Sequence, residues 1–288
     1  MVDSNMKVQF RRPLSLLAVL SAFAIAGCTA ASTSQQMASH SAVIKAVPNA
    51  EETEMAAEIE RLRAAFHVDV PQSKAQPPTN DATWTLAAKR QLLDAGIVIH
   101  RPQLVVVVDR NPQVQELQIM IAEPDSAWQV IGDGEVSTGQ AGRRGYFLTP
   151  TGVFIHDASI LDYRALGTFN EHHIRGLGLK GMRVWDFGWQ RAEKGWTLNP
   201  ETAEIRLALH ATDPDYLEPR LGQPASKGCI RISAAMNRFL DRYGVLDRDY
   251  KVAARDDPRF QAILSDAGQG NILAGDKLIV IDSSLGDQ

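Results

Sequence analysis

The stretch Ala225-Ser226-Lys227-Gly228-Cys229-Ile230-Arg231 holds one of the two cysteines in the chain. A thiol does nucleophilic chemistry as its thiolate, so it needs a base or a cation beside it. Upstream, Glu204-Ile205-Arg206-Leu207-Ala208-Leu209-His210 alternates in polarity. The alternation predicts a strand with Ile205, Leu207 and Leu209 on one face and Arg206, Ala208 and His210 on the other. His210 is thus expected at a strand end, facing away from the core. A loop rich in proline and acid, residues 212–224, separates it from Cys229. Histidine and cysteine so placed can meet in space, where imidazole takes the thiol proton or holds an ion pair with the sulfur. Gly228, lacking a side chain, lets backbone N–H groups near Cys229 approach a developing oxyanion. Arg231 is placed to offer a fixed positive charge to a carboxylate. Asp213, Asp215 and Glu218 are expected in a solvated loop, and either one of them or a backbone carbonyl is left to orient His210.

These residues need a scaffold, and 288 residues suffice for one sizeable core, with or without a small appendage. A net charge of −4 supplies no basic footprint, so nucleic acid is excluded as a partner. From Leu104 onward, short apolar or alternating runs (LVVVVDR, VQELQIMIAE, WQVIGDGEVSTG and, near the end, GDKLIVID) predict a mostly antiparallel sheet. Ser233 before Met236, Phe239, Leu240 and Tyr243, with Gly244 as a stop, predicts one amphipathic helix directly after the cysteine. Met55, Ile59, Leu62 and Phe66 share a helical face, and a second helix is expected from Asp81 to about Ala95, closed by Gly96. Residues 51–100 therefore read as a helical appendage on a main domain of residues 101–288.

The N-terminus sets the compartment. Lys7, Arg11 and Arg12 precede an apolar run from Leu14 to Ala26 that is too short to span a bilayer, the pattern of an export signal. The run ends Ile25-Ala26-Gly27-Cys28, which resembles a bacterial lipobox, so residues 1–28 read as a lipoprotein signal peptide with Cys28 as the lipidated residue. Thr29 in place of aspartate points to a periplasmic protein held at the outer membrane. Residues 29–50, rich in Ser, Ala, Thr and Gln, read as a tether. With Cys28 carrying lipid, Cys229 has no disulfide partner.

His210 followed by Ser226-Lys227-Gly228-Cys229-Ile230-Arg231 resembles the signature of the L,D-transpeptidases of the YkuD type. A second block, VSTGQAGRRGYFLTPTGVF at residues 136–154, is similar to another conserved segment of that family. The resemblance covers roughly Leu104 to Asp282. It implies a β-sandwich-like, mainly β (α+β) catalytic domain acting on peptidoglycan stem peptides. It further implies Cys229 as nucleophile, His210 as base, Gly228 and the backbone at Cys229 as oxyanion hole, and Ser226 and Arg231 as shapers of the site. The family reaction implied is attack on the peptide bond after the diaminoacid of a stem tetrapeptide, loss of D-alanine, and transfer of the acyl group to an amine, including an amine of a protein acceptor. Acyl transfer through a thioester needs no metal and no cofactor, so none is expected. Water in place of the amine turns the same site into a hydrolase, and a catalytically silent wall-binding lipoprotein is the reading from another class. Lys227 stands where many members have histidine and Ala211 where they have glycine, and Lys227 is able to lower the thiol's pKa only by its charge.

Other motifs read more plainly. GLGLKG at residues 176–181 lacks the strand before and helix after that dinucleotide binding requires, and reads as a mobile loop over the site. His156 reads as structural, and His172 and His173 would diverge on a strand. Trp185, Trp189 and Trp196 read as core before they read as a substrate wall.

Overall fold

The protein is described by a computed structural model that covers residues 49–71, 81–124, 126–265 and 270–285. The signal segment, Cys28 and nearly all of the tether lie outside the described residues.

Two sheets form the framework. The first joins β1 (Gln103–Asp109), β2 (Glu116–Ala122), β3 (Gln129–Glu135), β4 (Gly152–Ile155) and β9 (Lys277–Ile281) in the order β3-β2-β1-β9-β4. The second joins β5 (Tyr163–Arg164), β6 (Arg183–Glu193), β7 (Thr202–Ala211) and β8 (Ile230–Ile232) in the order β5-β6-β7-β8. Pairing is antiparallel except for β1 with β9 and β7 with β8. β1 and β9 are far apart in sequence, so the chain between them builds the rest of the domain, whereas β7 and β8 are joined by the single loop of residues 212–229.

The run of valines in β1 is continuous because the strand is buried on both faces. Leu104, Val106 and Val108 face the second sheet and meet Trp185, Phe187, Leu207, Leu209, Ile230 and Ile232 in one core. Val105 and Val107 face outward into a second cluster with Trp84, Ala88 and Leu92.

The N-terminal helices are those expected, and both are fastened to the sheets. α1 (Ala50–Asp69) opens on a capping box between Asn49 and Glu52 and buries Ile59, Leu62 and Phe66. Phe66 meets Phe239 edge-on at 4.9 Å. α2 (Asp81–Asp94) covers the outer face of the first sheet, and the chain turns out of it through Gly96 at φ +67. α3 (Ala234–Arg242) follows β8 directly, capped by the Ser233 side chain accepting from the Met236 N–H. Two short helices, α4 (Arg248–Ala253) and α5 (Pro258–Ile263), then lead toward β9.

Candidate active site

The two conserved-looking blocks prove to be one cradle. Ser137 exchanges backbone hydrogen bonds with Arg231 at 3.0 and 2.9 Å, and the Thr138 carbonyl accepts from the N–H groups of Ala225 and Ser226. Thr149, fully buried, accepts from the Gly139 N–H at 2.9 Å and donates its hydroxyl to the Gly228 carbonyl at 2.8 Å. Behind them Gln115 is buried and clamps Thr138 through both ends of its amide, accepting from the Thr138 N–H at 2.7 Å and donating to the Thr138 hydroxyl at 2.8 Å. The segment before the cysteine is therefore held by fixed partners over its whole length.

Two glycines have no substitute in this cradle. Gly228 sits at φ +129, and a Cβ there would lie 2.6 Å from Ile205 Cδ1. Gly139 is tighter still, since a Cβ would lie 1.9 Å from the Phe147 carbonyl oxygen and 2.7 Å from the Thr149 nitrogen. Backbone cannot step aside as a side chain can. Gly139→Ala is expected to cost about 3 kcal/mol or more, on the scale of an overpacked core, and urea titration of the variant against the parent checks it.

Register brings the chemistry together. In the parallel pair β7–β8, Leu209 lies opposite Ile230 and His210 opposite Arg231. Partners in register point to the same face, and residues two apart share it, so Arg206, His210, Cys229 and Arg231 line one side of the pair. His210 is on the face opposite the main core, as its alternation predicts. It is nevertheless only 5% exposed. The loop after β5 covers the strand end, with Gly178 so close that a Cβ would lie 2.7 Å from the Ala211 Cβ.

The His210 ring is oriented by its neighbour's backbone. Nδ1 lies 2.6 Å from the Ala211 carbonyl oxygen, which can only accept, so Nδ1 carries the proton and Nε2 keeps the free lone pair. No acidic side chain takes that part. The acidic loop also departs from the solvated loop expected of it. Asp213 is buried and its carboxylate accepts from the N–H groups of Arg175, Asp215 and Tyr216, because the loop folds over its own carboxylate. Glu218 accepts from the Ala234 N–H at the start of α3.

Burial governs both reactive groups. It pushes the His210 imidazole down to about 4, with the Arg231 charge acting in the same direction against the Ala211 hydrogen bond. It pushes the Cys229 thiol up, against the opposing effects of the Ala208 N–H and Arg231. At neutral pH the pair is thus a thiol and a neutral imidazole, with no preformed ion pair. The thiol rests 3.5 Å from the Arg206 carbonyl oxygen.

Of the other expected site residues, Ser226, Gly228 and Arg231 lie around the cysteine, and Cys28 is outside the described residues. Ser226, buried, accepts from the Gly228 N–H at 3.0 Å and donates to the Cys229 carbonyl at 2.5 Å. The Gly228 N–H is therefore committed to Ser226 and does not serve an oxyanion, so Gly228 contributes shape and the backbone N–H of Cys229 is the donor left for that task. Arg231 donates to the Ala225 carbonyl at 3.2 Å, and among the described residues no carboxylate pairs with it. Lys227 is exposed and lies over the Tyr146 ring, 5.7 Å from its centroid, so Arg231 is the cation felt at the sulfur.

Sequence reasoning passed over two neighbours, Asp186 and Tyr163. Asp186 raises the thiol's pKa, its charge answered by Arg206 at 2.8 Å. Tyr163 feels Cys229 and Asp186 and lines a cavity of about 360 Å³ that runs to Phe169 and Gly178. Only the strand order, which puts β5 beyond β6, brings Tyr163 here, and a two-residue strand leaves no periodic signal.

The glycines of residues 176–181 lie in turns that lead into β6, with Gly178 against Ala211 at the end of β7. Of the tryptophans, Trp185 is core, Trp196 packs edge-on to Phe147 at 5.0 Å, and Trp189 is 63% exposed. His156 is structural, as expected, within a buried ionic network.

The model of the L,D-transpeptidase catalytic domain, YkuD, matches residues 97–253, more than half of the 288-residue chain. No curated protein matches the chain. The matched span contains the whole cradle and both reactive residues, and the protein belongs to the YkuD family of L,D-transpeptidase catalytic domains.

Proposed function

We propose that the protein is a peptidoglycan L,D-transpeptidase in which Cys229 is the nucleophile and His210 the general base. Cys229 Sγ attacks the carbonyl carbon of the bond between the diaminoacid and D-alanine, while His210 Nε2 takes the thiol proton. The carbonyl oxygen becomes an oxyanion held by the Cys229 N–H. Collapse breaks the C–N bond, and the imidazolium returns its proton to the departing amine of D-alanine. An acceptor amine then attacks the thioester carbonyl and gives its proton to His210; the C–S bond breaks, the acyl group is joined through a new amide, and the imidazolium returns the proton to the Cys229 thiolate. Arg231 holds a carboxylate of the donor stem beside the sulfur.

The observation that carries this reading is the shared face of the β7–β8 pair, where His210 with a free Nε2, Cys229 and an unpaired Arg231 lie side by side. A buried neutral imidazole suits a base that acts during attack, because it needs no prior charge separation in a dry site. We further propose that Cys28 is lipidated and holds the enzyme at the periplasmic face of the outer membrane.

The test is incubation of residues 29–288 with tetrapeptide muropeptides, read by mass spectrometry beside Cys229→Ala. Loss of D-alanine with a new cross-link, absent in the variant, is the expected result. Loss of a residue with only water gained would make the protein a hydrolase, and retained binding without turnover would make it a wall-binding protein. In cells, Cys28→Ala is expected to move the protein from the membrane fraction to the soluble periplasm.

A further inference from the structure

The two sides of the thiol differ in charge. On the Tyr163 side lies the largely apolar cavity, whose one guanidinium, Arg164, is paired with Asp241 at 2.8 Å. On the other side, the loop of residues 141–146 brings Tyr146 against the cysteine segment, and the Phe147 N–H donates to the Lys227 carbonyl at 3.4 Å. Arg143 lies over the Tyr146 ring at 4.3 Å from its centroid and Lys227 over the same ring at 5.7 Å. Among the described residues neither makes an ion pair, nor does Arg231 behind them, and nearby carboxylates are engaged elsewhere, Asp186 with Arg206 and Glu201 with Lys194. Three cations crowd one lip of the site with no anion between them. Gathering like charges without counter-charges is unfavourable, and a bound anion relieves it.

Resting on the transpeptidase reading above, the geometry points to Arg143, Lys227 and Tyr146 as a specificity subsite for a second carboxylate of the acyl-donor stem, so that the protein selects stems with free side carboxyls over amidated ones. The aromatic ring fixes the positions of both cations, and the half-buried Arg231 takes the carboxylate nearest the sulfur. A stem peptide carries carboxylates on its glutamate and diaminoacid besides that of the terminal D-alanine, and so has a second anion to offer the lip. An amide at either side position offers no negative charge and brings donors where the lip already has donors.

The experiment uses the full-length Cys229→Ala chain in detergent and titrates two synthetic stem tetrapeptides that differ only in free or amidated side carboxyls. The expected preference for the free acid is about tenfold in affinity, the size of one good charge-assisted contact, and it shrinks as salt is raised. In an Arg143→Gln, Lys227→Gln background the preference falls to within about twofold, while Lys227→Arg retains it. Equal affinities, no measurable affinity for either peptide, or a preference that persists in the double variant would overturn the subsite. Turnover by the parent protein is scored separately. D-alanine release from both peptides at equal rates sinks the subsite and leaves the transpeptidase reading standing, whereas a binding preference without release does the reverse.

Discussion

On the proposed mechanism, Cys229→Ala is expected to lose D-alanine release altogether and His210→Gln to lower kcat by about 10²–10⁴-fold, the span attributed to a positioned general base. The pH profile is the more telling measurement. Burial holds His210 down to about 4, so the base is already unprotonated across the physiological range. The acid limb of kcat/KM is therefore expected near 4, and activity persists at pH values where an ordinary histidine would be protonated. Alkylation of Cys229 follows the opposite course, slow at neutral pH and rising only above the range of a free cysteine, because burial raises the thiol. Fast alkylation that persists from neutral into acid pH would mean a preformed thiolate–imidazolium pair, and the general-base account would fall; an acid limb between about 6 and 7 would instead mean a histidine of ordinary pKa.

Loss of the buried charge network at the start of β6, next to the strand end that carries His210, is expected to destabilise the fold strongly. Arg183, fully buried, pairs through Nε with Asp162 at 2.9 Å and through Nη2 with Asp247 at 2.8 Å. His156 is buried with Nδ1 2.8 Å from the Leu246 carbonyl and Nε2 3.0 Å from the Asp162 carboxylate. Both partners only accept, so the ring donates twice and is an imidazolium. Burial alone would lower its pKa, yet the charge and hydrogen bond of Asp162 leave it raised. Asp162→Asn keeps the volume, strands the buried His156 cation and takes one of its carboxylates from Arg183, which keeps Asp247, and the expected loss is about 3–5 kcal/mol, visible as a fall in the urea midpoint. The sign with pH follows from the raised pKa. The contribution of His156 is complete below the unfolded value, near 6.5, and drains away as pH climbs through the folded one. His156→Gln should remove that alkaline slope, and a parent protein whose stability does not fall on that side would contradict the imidazolium.

Chemistry was more legible in the sequence than geometry. His210, Cys229, Ser226, Gly228 and Arg231 were singled out from residue types and from the resemblance of their order to a known signature, and the structure sets them close together at the β7–β8 pair and the turn before β8. The group that orients His210 could not, since the Ala211 carbonyl is a backbone atom and every residue has one. Alternation put His210 on the correct face and gave no hint of its burial, because the cover comes from a loop remote in sequence. The direction of both pKa shifts was hidden with it. Gly228 was read as a donor of its N–H, and the competing claim of Ser226 depends on a turn that residue types alone do not specify. Among the elements, the double burial of β1 was visible as an unbroken apolar run. β5 and β8 were too short to show a period, and α4 and α5 spanned too few turns.

The place of β9 has a temporal consequence. It is the last strand of the chain and lies inside its sheet, between β1 and β4, so Lys277–Ile281 must arrive before β4 has any neighbour at all. The Thr149 that anchors Gly228 lies just before β4. A chain that emerges residue by residue therefore leaves β4 without a neighbour until Lys277–Ile281 has followed Cys229 out.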